Sequence, residues 1–284
     1  MNIFQLTKKI VNSNNDQIYN IFSSEAMLRV IAWYVTPIFY YLRLSPNSIS
    51  VIALLTGLYG SLLIFQNGID YIGYGVIFFI LSVIIDHCDG NIARLKNIPT
   101  FFGRFMDGLF DIIVIGVFQC SLFYVFVFDN NSNLSFLTIN NNVLSIMIII
   151  SIFSTPIQHL IYDRYSAYTR WIKEDHSLNI QPTLRREISF VYIDIINDIQ
   201  LILLILMPFY YDLMIIYFAI NLLASFYIIL LHLYFSKKYM SKFAENHRQK
   251  DIKRQSDIKQ SILPASIGAA GHSYRDYSTG ILIY

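Results

Sequence analysis

Charge is scarce in this chain of 284 residues: Asp, Glu, Lys and Arg make up 14% of it, against about 25% in an ordinary soluble domain. Too little polar material remains to clothe a separate soluble domain. Apolar residues reach 55% and aromatics 16%, so the composition is that of a polytopic membrane protein. Cysteine is scarce too. Cys88 and Cys120 stand 32 positions apart in apolar segments, which excludes a disulfide framework and a cysteine-based zinc site. A net charge of +2 excludes the basic excess of a nucleic-acid binder, and no nucleic acid is expected as a partner. Met1 to Asn20 has no apolar run and no small-residue cleavage site, so no cleaved signal peptide is expected.

Long apolar runs are what the chain does have. A bilayer core needs about 20 residues of helix, and such runs fall near 48–66, 71–91, 103–128, 142–163, 195–211 and 213–235. An earlier stretch, Leu28 to Leu42, is shorter and holds Pro37. If that stretch lies along the interface and the other six segments span, all 21 Lys and Arg fall on one side. The opposite connections, Gln66 to Asp70, Asp129 to Asn141 and Tyr210 to Asp212, contain none. The positive-inside rule then places both termini in the cytoplasm. Ser45-Pro46-Asn47-Ser48 reads as the start of the first span, with a helix-start proline and side chains able to cap free amides. The expected organisation is all-α: residues 1–44 a cytoplasmic segment with an interfacial helix, 45–236 a six-span catalytic membrane domain, and 237–284 a basic cytoplasmic tail, partly disordered, with nine basic and four acidic residues.

Four aspartates sit where lipid should forbid them. Asp86 and Asp89 lie near the end of the second run, Asp107 and Asp111 near the start of the third, with Gly90, Arg94, Gly103 and Gly108 among them. An intramembrane aspartate costs roughly 2.5 to 3.5 kcal/mol on insertion scales, so four of them require a partner or a task. Residues three and four apart share a helix face, so Asp86 pairs with Asp89 and Asp107 with Asp111. Two antiparallel helices joined by a short cytoplasmic turn can bring all four carboxylates to one point. Hard carboxylate oxygens suit Mg²⁺ or Mn²⁺. Carboxylates, a divalent cation and an arginine are what phosphoryl transfer requires, one carboxylate accepting the proton of the attacking hydroxyl. A structural ion-pair network with Arg94 and Arg104 is the plainer alternative, but it leaves two carboxylates unpaired.

The stretch resembles the signature of the CDP-alcohol phosphotransferase (phosphatidyltransferase) family. Every defined position is occupied, by Asp86, Asp89, Gly90, Ala93, Arg94, Gly103, Asp107 and Asp111. The six-span layout and Pro46-Asn47 also look like that family, which often carries an amphipathic helix ahead of the first span. The resemblance implies transfer of a phosphatidyl or similar phosphoryl-bearing group from a CDP-alcohol, commonly CDP-diacylglycerol, to the hydroxyl of a second alcohol, with release of CMP, in phospholipid synthesis. It implies two divalent ions, Mg²⁺ or Mn²⁺, held by Asp86, Asp89 and Asp107, with Asp111 sharing the second ion and acting as general base. Gly90, Ala93 and Arg94 would then wall the CDP part of the donor, and the active unit would be a homodimer among membrane lipids.

Outside the signature the signals are weaker. His87 and Cys88 fall off the shared aspartate face and read as packing residues; Asn91 reads as helix-end solvation. Arg164, Arg170, Lys173, Arg185 and Arg186 follow or precede spans on the cytoplasmic side, and Arg164, beside His159, Asp163 and Tyr165, is the expected acceptor contact for an inositol or glycerol phosphate. Ordinary positive-inside charge explains these residues equally well. Two other activities remain open: a choline or ethanolamine phosphotransferase acting on diacylglycerol, and a cation transporter using its intramembrane carboxylates.

Overall fold

The computed structural model describes residues 3–14, 23–98, 100–128, 141–176 and 189–262, and among these every regular element is helical. They form α1 (Ile3–Asn14), α2 (Ser24–Tyr41), α3 (Pro46–Asn67), α4 (Ile72–Lys96), α5 (Phe101–Phe128), α6 (Asn141–His176), α7 (Ser189–Leu206) and α8 (Leu213–Ile262). Helices are the expected outcome for so apolar a chain, because each satisfies its backbone groups within itself where water is absent. Four stretches are long and apolar enough to cross a membrane: Pro46–Lys96, Phe102–Phe128, Asn142–Tyr165 and Leu213–Lys238. Large apolar side chains such as Phe153, Leu223 and Leu230 stand on the outside of these helices, as they would against lipid. The chain is a membrane protein.

The first of these stretches is a hairpin rather than one rod. Asn67 leads into Gly68, whose φ of 70° is open to glycine at no steric cost, and a single 3₁₀ turn, Gly68–Tyr71, passes the chain into α4. Contacts then run in opposite directions along the two helices. Ile64 meets Gly75, Gly60 meets Phe78, Gly57 meets Ser82, and Ser50 meets Asp89. A Cβ at Gly60 would stand 2.7 Å from Phe78 Cβ and 2.9 Å from the Gly75 carbonyl oxygen, so only glycine permits this approach.

Capping sets the ends that matter for the site. Ser45 Oγ accepts from the Ser48 amide at 3.1 Å, with Pro46 opening α3. Helix α4 runs past the expected end at residue 91 to Lys96 and stops at Asn97, which takes the left-handed conformation at φ 55° that asparagine tolerates. Arg94 and Lys96 occupy its last turn, where cations are favourable. Thr100 Oγ1 then accepts from the Gly103 amide at 3.0 Å at the start of α5. Only the short link 97–100 separates α4 from α5, so the two halves of the aspartate pattern stay together.

Helix α2 is continuous through Pro37, and Arg43 beyond it has a φ of 57°. Trp33 of α2 packs with Leu6 and Ile10 of α1, and Ala32 shares a core with Ile49, Ile85, Cys88 and Ile92 of α3 and α4. A larger core joins Ile64, Val76, Phe118, Ile148, Met214 and Phe218 from α3, α4, α5, α6 and α8. The fifth expected span, 195–211, is displaced along the chain: α7 runs over Ser189–Leu206, about 27 Å at 1.5 Å per residue, and ends at Leu206 because Pro208 lacks the amide that another turn would need. The Asp198 carboxylate of α7 accepts from the Ser24 amide at 2.6 Å, holding the start of α2.

Polar side chains tie the remaining helices together. Asn221 of α8 donates to Ser151 Oγ at 2.9 Å and Thr155 Oγ1 at 3.0 Å on α6, and accepts from Gln200 of α7 at 3.3 Å. By contact density the chain divides after Leu233. In the second unit the helix continues to Ile262, and Lys238 Nζ lies 5.6 Å from the Phe235 ring. Residues 129–140, 177–188, which include Arg185 and Arg186, and 263–284 lie outside the described residues, as do the side chains of Arg170 and Lys173.

Candidate metal and phosphotransfer site

Asp86 and Asp89 stand one turn apart on α4, and Asp107 comes from the first two turns of α5. Their carboxylates offer three oxygens within 4.8 Å of one another. Asp86 and Asp107 face each other within hydrogen-bond reach. Asp111, one turn deeper on α5, is outside this tightest group but lies within electrostatic range of Asp86, Asp89 and Asp107. Of the four aspartates, three are brought to one point and the fourth is beside it.

Such a group does not stand alone. Two unit charges 4.8 Å apart repel by about 3 kcal/mol at an effective dielectric of 20, so three carboxylates require shared protons or a cation. A divalent ion fits. Oxygens on one octahedral ion with bonds of about 2.1 Å stand roughly 3 Å apart in cis and 4 Å in trans, close to the spread found here. All three donors are hard oxygens, and His87 and Cys88 are outside the group, so the set suits magnesium or manganese rather than zinc.

The surroundings hold these carboxylates in place. Ser50 of α3, 3% exposed, donates its hydroxyl to Asp89 Oδ2. The Pro46 carbonyl lies 3.1 Å from the same hydroxyl, but one proton serves one strong acceptor and the carboxylate is the stronger. Cys88 is fully buried, its thiol against the carbonyls of Ile84 and Ala32, which is the packing role expected of it. Asn91 corrects the expectation of helix-end solvation. It is 3% exposed, donates to Thr36 Oγ1 of α2 at 2.9 Å and accepts from Arg94 at 3.1 Å. Arg94 is therefore steered by α2 through Asn91.

Gly90 and Gly103 leave room for specific neighbours. The guanidinium of Arg94 lies 3.2 to 3.3 Å from where a Cβ on Gly90 would be, so the place beside this glycine is filled by arginine. Gly103 sits under Thr100 and Asn47, which brings the start of α3 to the start of α5. Ala93 is half-buried on the same helix. Arg164 is exposed on α6, with no bond to the carboxylate group among the described residues; its neighbour Asp163 instead comes against Gly108 of α5. Ser50, Asn91 and Thr36 were invisible as site residues, because each acts across helices and no spacing within one helix marks them.

Residues 43–169 match the family model described as CDP-alcohol phosphatidyltransferase, a range that contains α3, α4, α5 and most of α6 with all four aspartates. These residues belong to the CDP-alcohol phosphatidyltransferase family. The chain is accordingly a transferase of substituted phosphate groups. No curated protein sequence matches it. Solved structures do resemble this phosphatidyltransferase fold. Phosphatidylinositol phosphate synthase of Mycobacterium tuberculosis in its apo form is 18% identical, with a TM-score of 0.53 over 71% of this chain and 94% of that one. The same enzyme with CDP-DAG bound gives 18%, 0.52, 70% and 90%, and its complex with manganese and citrate 18%, 0.51, 70% and 86%. At this identity the likeness is one of fold.

Proposed function

We propose that this phosphatidyltransferase moves a phosphatidyl group from CDP-diacylglycerol to the hydroxyl of a second alcohol, releasing CMP. The observation that carries the proposal is the meeting of Asp86, Asp89 and Asp107 within 4.8 Å at residues that also complete the family signature. The neighbour of like fold has been solved with CDP-DAG and with manganese, which supports a CDP-lipid donor and a divalent ion here. Asp86, Asp89, Asp107 and Asp111 would hold Mg²⁺ or Mn²⁺, two ions in all. When bound, such ions neutralise charge on the donor pyrophosphate and on the departing CMP.

The chain's own residues supply the rest. Arg94, held by Asn91 over Gly90, forks onto the donor phosphates beside the small residues Gly90 and Ala93. Asp111 takes the proton of the attacking hydroxyl. A new bond forms between that oxygen and the donor's phosphorus, the bond from phosphorus to the CMP oxygen breaks, and CMP leaves with the electron pair. Six spans with α2 along the interface, the site and both termini in the cytoplasm, fit the one-sided Lys and Arg. That placement lets a water-soluble nucleotide and a membrane lipid meet. A homodimer is the active unit.

The test is release of CMP from labelled CDP-diacylglycerol by the purified protein in the presence of alcohols. Equal amounts of CMP and new phospholipid support the proposal. Metal-ion flux into vesicles without CMP release would instead favour a transporter.

A further inference from the structure

The carboxylates of this site are not all served alike. Arg94 is within electrostatic range of Asp89 and Asp107, and Arg104 of Asp107. Around Asp111 the acting charges are Asp86, Asp89, Asp107 and a fifth carboxylate, Asp163 of α6. Asp163 reaches α5 at Gly108, the position between Asp107 and Asp111, where its Oδ2 lies 3.7 Å from the place a Cβ would take. Asp163 is exposed, and among the described residues it has neither an ion-pair nor a hydrogen-bond partner. Arg164 follows it about 100° further round the helix. Among the described residues Arg94 and Arg104 therefore act on Asp89 and Asp107, whereas the charges that act on Asp111 are all negative.

We propose that Asp163 is a specificity residue for the acceptor, flanking Asp111 across Gly108 so that the site takes a small alcohol bearing an ammonium group in preference to one bearing a phosphate. This rests on the transferase reading above, in which Asp111 receives the acceptor's proton. The signs of the nearby charges lead to it: Asp163 and Asp111 flank Gly108, and an ammonium on the acceptor is attracted by both. A phosphate on the acceptor would meet Asp163 and Asp111 together. A unit charge about 6 Å from another interacts strongly enough, at effective dielectrics between 20 and 80, to change affinity by roughly 3-fold to 100-fold. Tenfold is the expected scale. His159, also within range of Asp163, lies one turn before it on α6 and lines the same side.

The experiment uses the full-length protein in lipid micelles with CDP-diacylglycerol and Mg²⁺. Ethanolamine, choline and serine are compared with glycerol 3-phosphate and inositol phosphate, and the lipid products are identified by mass. The ammonium alcohols are expected to exceed the phosphate alcohols in kcat/KM by about tenfold or more. Asp163→Asn is expected to raise the KM for the ammonium acceptor about tenfold, with the KM for CDP-diacylglycerol and the Mn²⁺ affinity by electron paramagnetic resonance unmoved. Asp163→Glu should restore the acceptor KM. Preference of the wild type for phosphate alcohols would overturn the inference and leave the transferase reading standing. Weakened Mn²⁺ binding in Asp163→Asn with an unchanged acceptor KM would also overturn it, making Asp163 a metal ligand. Absence of CMP release with every acceptor would remove both.

Discussion

Replacing Ser50 by alanine should loosen the metal site from outside it. Ser50 and Asp89 are 3% and 9% exposed, and the hydroxyl of one donates to the carboxylate of the other. A hydrogen bond to a charged group contributes about 1.5 to 3 kcal/mol, and each 1.4 kcal/mol is tenfold in affinity. Without that donor Asp89 loses its fixed orientation and one of its partners. Divalent-ion affinity should fall about 10-fold to 100-fold, the range found when supports of metal ligands are removed. The assay is titration of the purified protein with Mn²⁺ followed by electron paramagnetic resonance, with Ser61→Ala as the control. Ser61 is fully buried on the same helix, and among the described residues it bonds to the Gly57 carbonyl at 3.1 Å and to no carboxylate, so its loss should leave Mn²⁺ affinity in place. Mn²⁺ affinity in Ser50→Ala within twofold of the wild type would refute the positioning role.

Packing and charge set four further outcomes. Gly60→Ala should lower the melting temperature in detergent, since its Cβ would meet Phe78 Cβ at 2.7 Å and a carbonyl at 2.9 Å, overpacking worth about 1 to 3 kcal/mol. Gly116→Ala meets nothing within 4 Å and should be neutral or raise it by helix propensity. Asn221→Ala removes donors to Ser151 and Thr155, and should cost about 1 to 2 kcal/mol at membrane hydrogen-bond strengths, read as a lower melting temperature. Arg94→Lys keeps the charge but loses the fork, so the KM for the CDP donor should rise about tenfold while Mn²⁺ affinity stays within twofold.

The carboxylate group was legible because its information is local. Asp86 and Asp89 share a face by their spacing, and a link of a few residues to α5 leaves Asp107 almost nowhere else to go. Membrane-spanning character was legible for the same reason, being a property of contiguous runs. What escaped depends on contacts between helices. The close crossing of α3 and α4 is made by Gly57, Gly60 and Gly75, which look like any small residues in an apolar run. Asn91 reads as a helix-end residue until Thr36 is seen opposite it. The extent of α7 was misjudged because hydropathy continues past Leu206 through Met207 and Phe209, while Pro208 ends the helix.

The central claim is that these aspartates carry out a metal-dependent phosphatidyl transfer with Asp111 as the base. The direct measurement is CMP release from CDP-diacylglycerol by wild type and Asp111→Asn, with Mn²⁺ occupancy and donor binding determined on the same samples. The wild type should release CMP in step with new lipid and stop on chelation. Asp111→Asn should still bind donor but turn over at least about 100-fold more slowly, the usual contribution of a general base. Wild-type rates in Asp111→Asn, or full activity after chelation, would contradict the account.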